Sequence, residues 1–197
     1  MTTNHPLSRR DALLYLAALS VISAAHAAPT ALPGNSVYQV RPGLTDQDGR
    51  PFDLVSLRGR PVLASMFYSS CDKVCPMIFE TIGMTLQALP AADRDRVRVL
   101  MVSFDPARDS VAVLKQTAKA HQCDERWTLA RTDEAGAREL AAVLGVKYRR
   151  LADGEFNHSS TIELLDTEGR IAARTGKLAA VDPALLKALR AAVRGRG

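Results

Sequence analysis

Residues 61–77 read PVLASMFYSSCDKVCPM, and this stretch decides the fold. Pro61 to Tyr68 is a run of strand length, apolar almost throughout, the pattern of a strand covered on both faces of a sheet. From Pro76 onward apolar side chains fall at Ile78, Ile82, Leu86 and Leu89, a helical stripe with proline in its first turn. Cys71 and Cys75 sit where that strand runs into that helix. Three readings are open for the pair: a structural bridge, a redox couple, or two ligands of a metal site.

Working outward, residues 44–52 (LTDQDGRPF) carry a turn signal at Asp48-Gly49 between extended flanks and predict a hairpin. VRVLMVSF at 97–104 reads as a second buried strand. Residues 109–121 read as a helix with Asp109 and Ser110 as cap candidates, and residues 132–145 as another stopped by Gly145. HSSTIELLD (158–166) and RIAART (170–175) flank Thr167-Glu168-Gly169 as a second hairpin, with His158 at the start of its first strand. A helix over 181–193 with Pro183 near its start ends the chain. The order strand, helix, strand, helix, helix, hairpin, helix predicts an α/β domain of three layers around a mixed central sheet. No repeat, linker or low-complexity tract interrupts it.

The first thirty residues read differently. Arg9 and Arg10 precede an uncharged stretch from Ala12 to Ala25, and Ala25-His26-Ala27 fits a small-x-small cleavage site. Residues 1–27 therefore read as a secretory signal of the twin-arginine type, with residues 28–197 as one domain in the periplasm. An uncleaved leader, giving membrane association, is the alternative, although the apolar run is shorter than the ~20 residues of a span. The chain has a formal net charge of +5, but its basic residues are interleaved with acids and with no aromatic pattern, so no nucleic-acid partner is expected.

Three cysteines (Cys71, Cys75, Cys123) and two histidines (His121, His158) remain beyond residue 27. An odd cysteine count does not suit a disulfide scaffold, and closing a loop as short as 71–75 yields only about 2 kcal/mol. Position favours chemistry, because N–H groups and the dipole at a helix start stabilise thiolate, the form that attacks disulfides and binds metals. Two thiolates select soft ions such as Cu(I) or Zn(II) and want at least one further ligand. His121, beside Cys123, reads as a helix-terminal residue and Cys123 as a small buried hydrophobe. Met66, Met77 and Met84 read as core residues rather than thioether ligands.

In combination, FYSSCDKVCP, VSFDPARDSVAVLK, the Trp-Thr-Leu at 127–129, LAAVLGVKY and HSSTIELLDTEGRI resemble the Sco/SenC copper proteins in order and approximate spacing, from Leu44 to Gly176. The resemblance implies a thioredoxin-like fold and a copper site of Cys71, Cys75 and His158. It also implies delivery of copper to, or upkeep of the thiols of, the binuclear copper centre of cytochrome c oxidase. Some relatives look more like thiol-disulfide reductases or redox sensors, so Cys71 and Cys75 as a redox-active pair with a thiol-disulfide reductant as partner stand as the alternative. Whether the protein is an enzyme is left open. Two departures from the family pattern are Asp72 directly after the first cysteine, with no proline between the pair, and Asn157 in place of an acid before His158. Asp105 reads either as a partner behind the metal ligands or as a cap of the turn at Pro106, and Arg108 with Asp109 as a pair at the helix start.

Overall fold

The computed structural model describes residues 31–195, with the compact unit beginning at Leu32. The leader read at residues 1–27 lies outside the described residues. A seven-stranded sheet forms the centre, in the order β2-β1-β5-β4-β3-β8-β9. Its strands are β1 (Leu44–Asp46), β2 (Pro51–Phe52), β3 (Val62–Phe67), β4 (Arg98–Ser103), β5 (Trp127–Arg131), β8 (Ile162–Leu165) and β9 (Ile171–Thr175). β3, β4 and β5 run parallel, while β1 and β8 pair antiparallel on either side of them, so the sheet is mixed.

Every residue of β3 is buried, which requires a layer on each face of the sheet. The helices are α1 (Val74–Gln87), the short α2 (Ala91–Arg94), α3 (Val111–Ala120), α4 (Glu134–Leu144) and α5 (Pro183–Arg194). The crossovers through α1 and α3 step the same way across the sheet, and right-handed crossovers then put both helices on one face. The Phe79 ring of α1 accordingly stacks on His121 at the end of α3, with centroids 4.1 Å apart. α5 joins them, since Arg190 donates to the Ala88 carbonyl at 3.0 Å. α4 covers the opposite face, where a side chain at Gly136 would run into the Pro42 carbonyl at 2.7 Å. The layers are those of a thioredoxin-like domain.

The two hairpins use one chemical device. In Asp46-Gln-Asp-Gly-Arg50 and Asp166-Thr-Glu-Gly-Arg170 the first aspartate accepts from the backbone two and four residues on, and the glycine takes φ near +80°. Caps close the helices as their sequences dictate. Asp133 accepts from Gly136 N–H at 2.7 Å, Gly145 ends α4 at φ +72°, and Asp182 precedes Pro183 at the first position of α5.

Two readings are corrected. A strand, β5, lies between the second and third long helices, where the element order read from the sequence has none. The stretch 158–166 is not one strand: the hairpin pairs only Ile162–Leu165 with Ile171–Thr175. His158 instead ends β7 (Phe156–His158), which pairs with β6 (Tyr148–Arg150) as a separate two-stranded ribbon. Ser159-Ser160-Thr161 break the alternation between the two.

Candidate metal centre

β3 ends at Phe67, and its chain turns through Tyr68-Ser69-Ser70 before Cys71. Buried Asp109 fixes that turn: its carboxylate accepts from the Ser69 N–H at 3.1 Å and from the hydroxyls of Ser69 and Ser103. Ser103, at the end of β4, thereby ties the loop to the neighbouring strand. Asp109 is thus no helix cap. Ser110 takes that role, accepting from Val113 N–H at 3.3 Å.

Cys75 lies in the first turn of α1, 2% exposed, and its N–H donates to the Cys71 sulfur at 3.4 Å. The sulfurs are not bonded to each other. Burial acts to raise the Cys71 thiol, but the N–H groups of Cys75, Lys73 and Val74 at the helix start outweigh it and hold Cys71 below its ordinary value. Cys75 is pushed well up, first by burial and further by the charge of Cys71.

The third side chain arrives on the ribbon. His158 stands directly opposite Tyr148. Its ring packs 5.2 Å from Phe104 and edge-on to Tyr68. Its Nδ1 lies 3.1 Å from the Ser159 carbonyl oxygen, which can only accept, so the ring donates through Nδ1 and leaves Nε2 as the nitrogen for a metal. One ligand atom each from Cys71, Cys75 and His158 lies within 4.8 Å of the others, the one such group of three His, Cys, Asp or Glu side chains among the described residues. An ion with bonds of about 2.3 Å holds its ligands roughly 4 Å apart, so small side-chain rotations close this set.

Arg108 joins the halves. It pairs with Asp105, 2% exposed, donates through Nη2 to the Gly154 carbonyl at 2.9 Å and reaches Glu155 at 3.4 Å. Glu155 in turn accepts from the Tyr68 hydroxyl at 2.9 Å. Burial, this bond and the neighbouring Cys71 all push the Tyr68 phenol up. Asp105 therefore serves Arg108 and its own turn, its carbonyl accepting from the Arg108 and Asp109 N–H groups, and is not bonded to His158.

The other sequence candidates fall elsewhere. His121 stacks on Phe79, its pKa lowered by burial, and Cys123 packs half-buried against the core with its thiol pushed up to about 12. Met66 is a core residue of β3. Asn157 is exposed and faces Arg149, on the opposite face of the ribbon from His158, so the missing acid does not bear on the site. Sequence reasoning missed Tyr68, Glu155, Tyr148 and Phe156 around the imidazole. Their one local signal is the Asp153-Gly154 turn between two aromatic residues, Tyr148 and Phe156.

A sheet-end dithiol completed by an imidazole, on a thioredoxin-like frame, defines a soft-metal or thiol-redox domain. The chain belongs to the SCO1/SenC family, whose model matches residues 34–194. It is 23% identical to a Stutzerimonas stutzeri protein over 132 residues, 65% of this chain and 64% of that one. With the mitochondrial protein SCO2 of Saccharomyces cerevisiae it shares 33% identity over 73 residues, 37% of this chain and 24% of the yeast one. The chain thus spans less than two-thirds of the length of these relatives. Among solved structures it is similar to Bradyrhizobium japonicum ScoI with copper bound, with a TM-score of 0.65 and 27% identity over 76% of this chain and 96% of that one.

Proposed function

We propose that this protein binds copper through Cys71, Cys75 and His158. Its role on this reading is to deliver the ion to the binuclear copper centre of cytochrome c oxidase or another copper protein, or to keep that centre's thiols reduced. The observation that carries the proposal is the gathering of two thiol sulfurs and one imidazole within 4.8 Å. Two sulfurs and one nitrogen suit Cu(I) without a further ligand, while Cu(II) asks for another oxygen or nitrogen. Similarity to the copper-bound ScoI supports the choice of ion. Anaerobic titration of the reduced protein with Cu(I) tests it: a single copper per chain is expected, lost when Cys71 and Cys75 are both replaced by Ser. Retention of copper by that variant overturns the reading.

The unequal cysteines favour thiol–disulfide exchange as a second reading. The Cys71 thiolate attacks a partner disulfide and releases one partner thiolate. Cys75, losing its proton, then displaces the second, leaving the Cys71–Cys75 disulfide and a reduced partner dithiol. A separate dithiol reductant would return the pair to its starting state. Loading copper needs the same reduced pair, so both activities fit one site.

The leader signals support a periplasmic location. Replacing Arg9 and Arg10 by Lys is expected to stop export, and unchanged export in that variant points to the general secretory route. Mature protein that keeps its N-terminus points to a membrane anchor; among the described residues no helix is long and apolar enough to cross a membrane.

A further inference from the structure

Beside His158 the surface opens into a groove of about 590 Å³ between the ribbon, the turn after β4 and α4. Its walls are apolar: Phe104, Phe156, Tyr148, Ala141 and Val146. Phe104 and Phe156 belong to the aromatic cluster around the imidazole, so the groove shares two of its walls with the surroundings of His158. Its rim is basic. Lys147, Arg149 and Arg150 are exposed; among the described residues Lys147 and Arg149 have no acidic partner, and Arg150 lies over the Phe156 ring. The two acids of the lining do not offset them, since Asp105 is paired with Arg108 and Glu134 with Arg138.

We infer that this groove docks an acidic segment of the copper-accepting protein, its carboxylates facing Lys147, Arg149 and Arg150. The charge balance decides the sign of the occupant: three exposed cations without an acidic partner among the described residues ask for anions. The apolar walls ask for an aliphatic or aromatic side chain between those carboxylates. A protein segment supplies both, whereas a nucleic acid would call for cations spread along its phosphates. Docking here would bring the acceptor's own ligands against His158. The inference rests on the carrier reading for the identity of the partner, and on the groove alone for its chemistry.

The test uses the reduced, metal-free full chain, so that copper affinity does not enter. It is titrated at low salt with a short peptide of Asp, Glu and Leu residues around one Phe, and followed by backbone amide NMR. Shifts should gather at Tyr148, Arg149 and Phe156 and saturate, and they should weaken roughly tenfold in Lys147→Glu/Arg149→Glu. The neutral peptide with Asn and Gln in place of the acids should bind more weakly by a similar factor. Raising the salt should weaken the acidic peptide as rim charges are screened. Cu(I) titration of the charge-reversal variant should match the parent, which separates loss of docking from loss of the metal site. Equal binding of the neutral peptide, shifts centred elsewhere, no binding, or tighter binding of a single-stranded thymidine oligonucleotide each overturns the inference.

Discussion

Arg108 donates to the backbone carbonyl of Gly154 at 2.9 Å, tying the turn after β4 to the ribbon that ends in His158. The imidazole is therefore placed against the two cysteines by a guanidinium that touches neither sulfur. Replacing Arg108 with Ala leaves the buried Asp105 carboxylate unpaired and should cost about 3 kcal/mol of stability in denaturant titrations. It should also weaken copper by roughly 10–100-fold, the usual cost of losing a group behind the ligands. Lys at this position cannot span Asp105, Gly154 and Glu155 together and should restore only part of the loss. Copper affinity equal to the parent's, with stability reduced, would show that the tie serves folding alone.

His158→Ala separates the two activities. Without the imidazole, two sulfurs still form the Cys71–Cys75 disulfide and still reduce a model disulfide. Cu(I) should bind at least about tenfold more weakly, and the absorption of a Cu(II)–thiolate complex should disappear. A variant that holds both oxidation states as the parent does would remove His158 from the site.

The thiols should react in a fixed order. Burial acts upward on Cys71, but the N–H groups of Cys75, Lys73 and Val74 hold its pKa below the ordinary value. Its reactive thiolate therefore forms at a lower pH than that of a free cysteine. Cys75 and Cys123 are held up, Cys123 to about 12, so their thiolates stay scarce at neutral pH. Iodoacetamide at pH 7 should label Cys71 first, and its rate should reach half its maximum at a lower pH than that of an ordinary thiol. Mass spectrometry of the labelled peptides reads the order, and equal labelling of all three in the folded protein would contradict it.

Cys123→Ala should leave copper stoichiometry intact, because this thiol packs half-buried against the core and outside the ligand group. The expected loss is about 1 kcal/mol of stability, typical of a small packing defect. Loss of copper would mean that Cys123 is a ligand.

What the sequence made legible follows the range of the forces involved. β3, β4 and the stripe of α1 were readable because burial on both faces, or on one, writes itself into adjacent residues. The cysteine pair was readable because the strand-to-helix junction is local. β5 was not, because Trp127–Arg131 mixes Thr128 and Arg131 into a five-residue strand whose burial depends on β1 and β4. His158 is named as a candidate ligand through the family resemblance, yet assigned to the wrong strand, since apolar Ile162–Leu165 follows it so closely. Asp109 and Arg108 were misread for a related reason. Their sequence position suits a helix start, and only contacts with Ser69 and Gly154, 40 and 46 residues away, reveal what they hold.

The unequal burial of the two sulfurs gives the centre a front and a back. Cys75, in the first turn of α1, is closed into the core, whereas Cys71 and His158 are partly exposed. On the carrier reading, an incoming thiolate would meet Cys71 or the imidazole before Cys75. Ligand exchange would then loosen Cys71 or the imidazole first and Cys75 last. An ion handed over in that order would stay bonded to at least one sulfur throughout and would not be set free in the surrounding water.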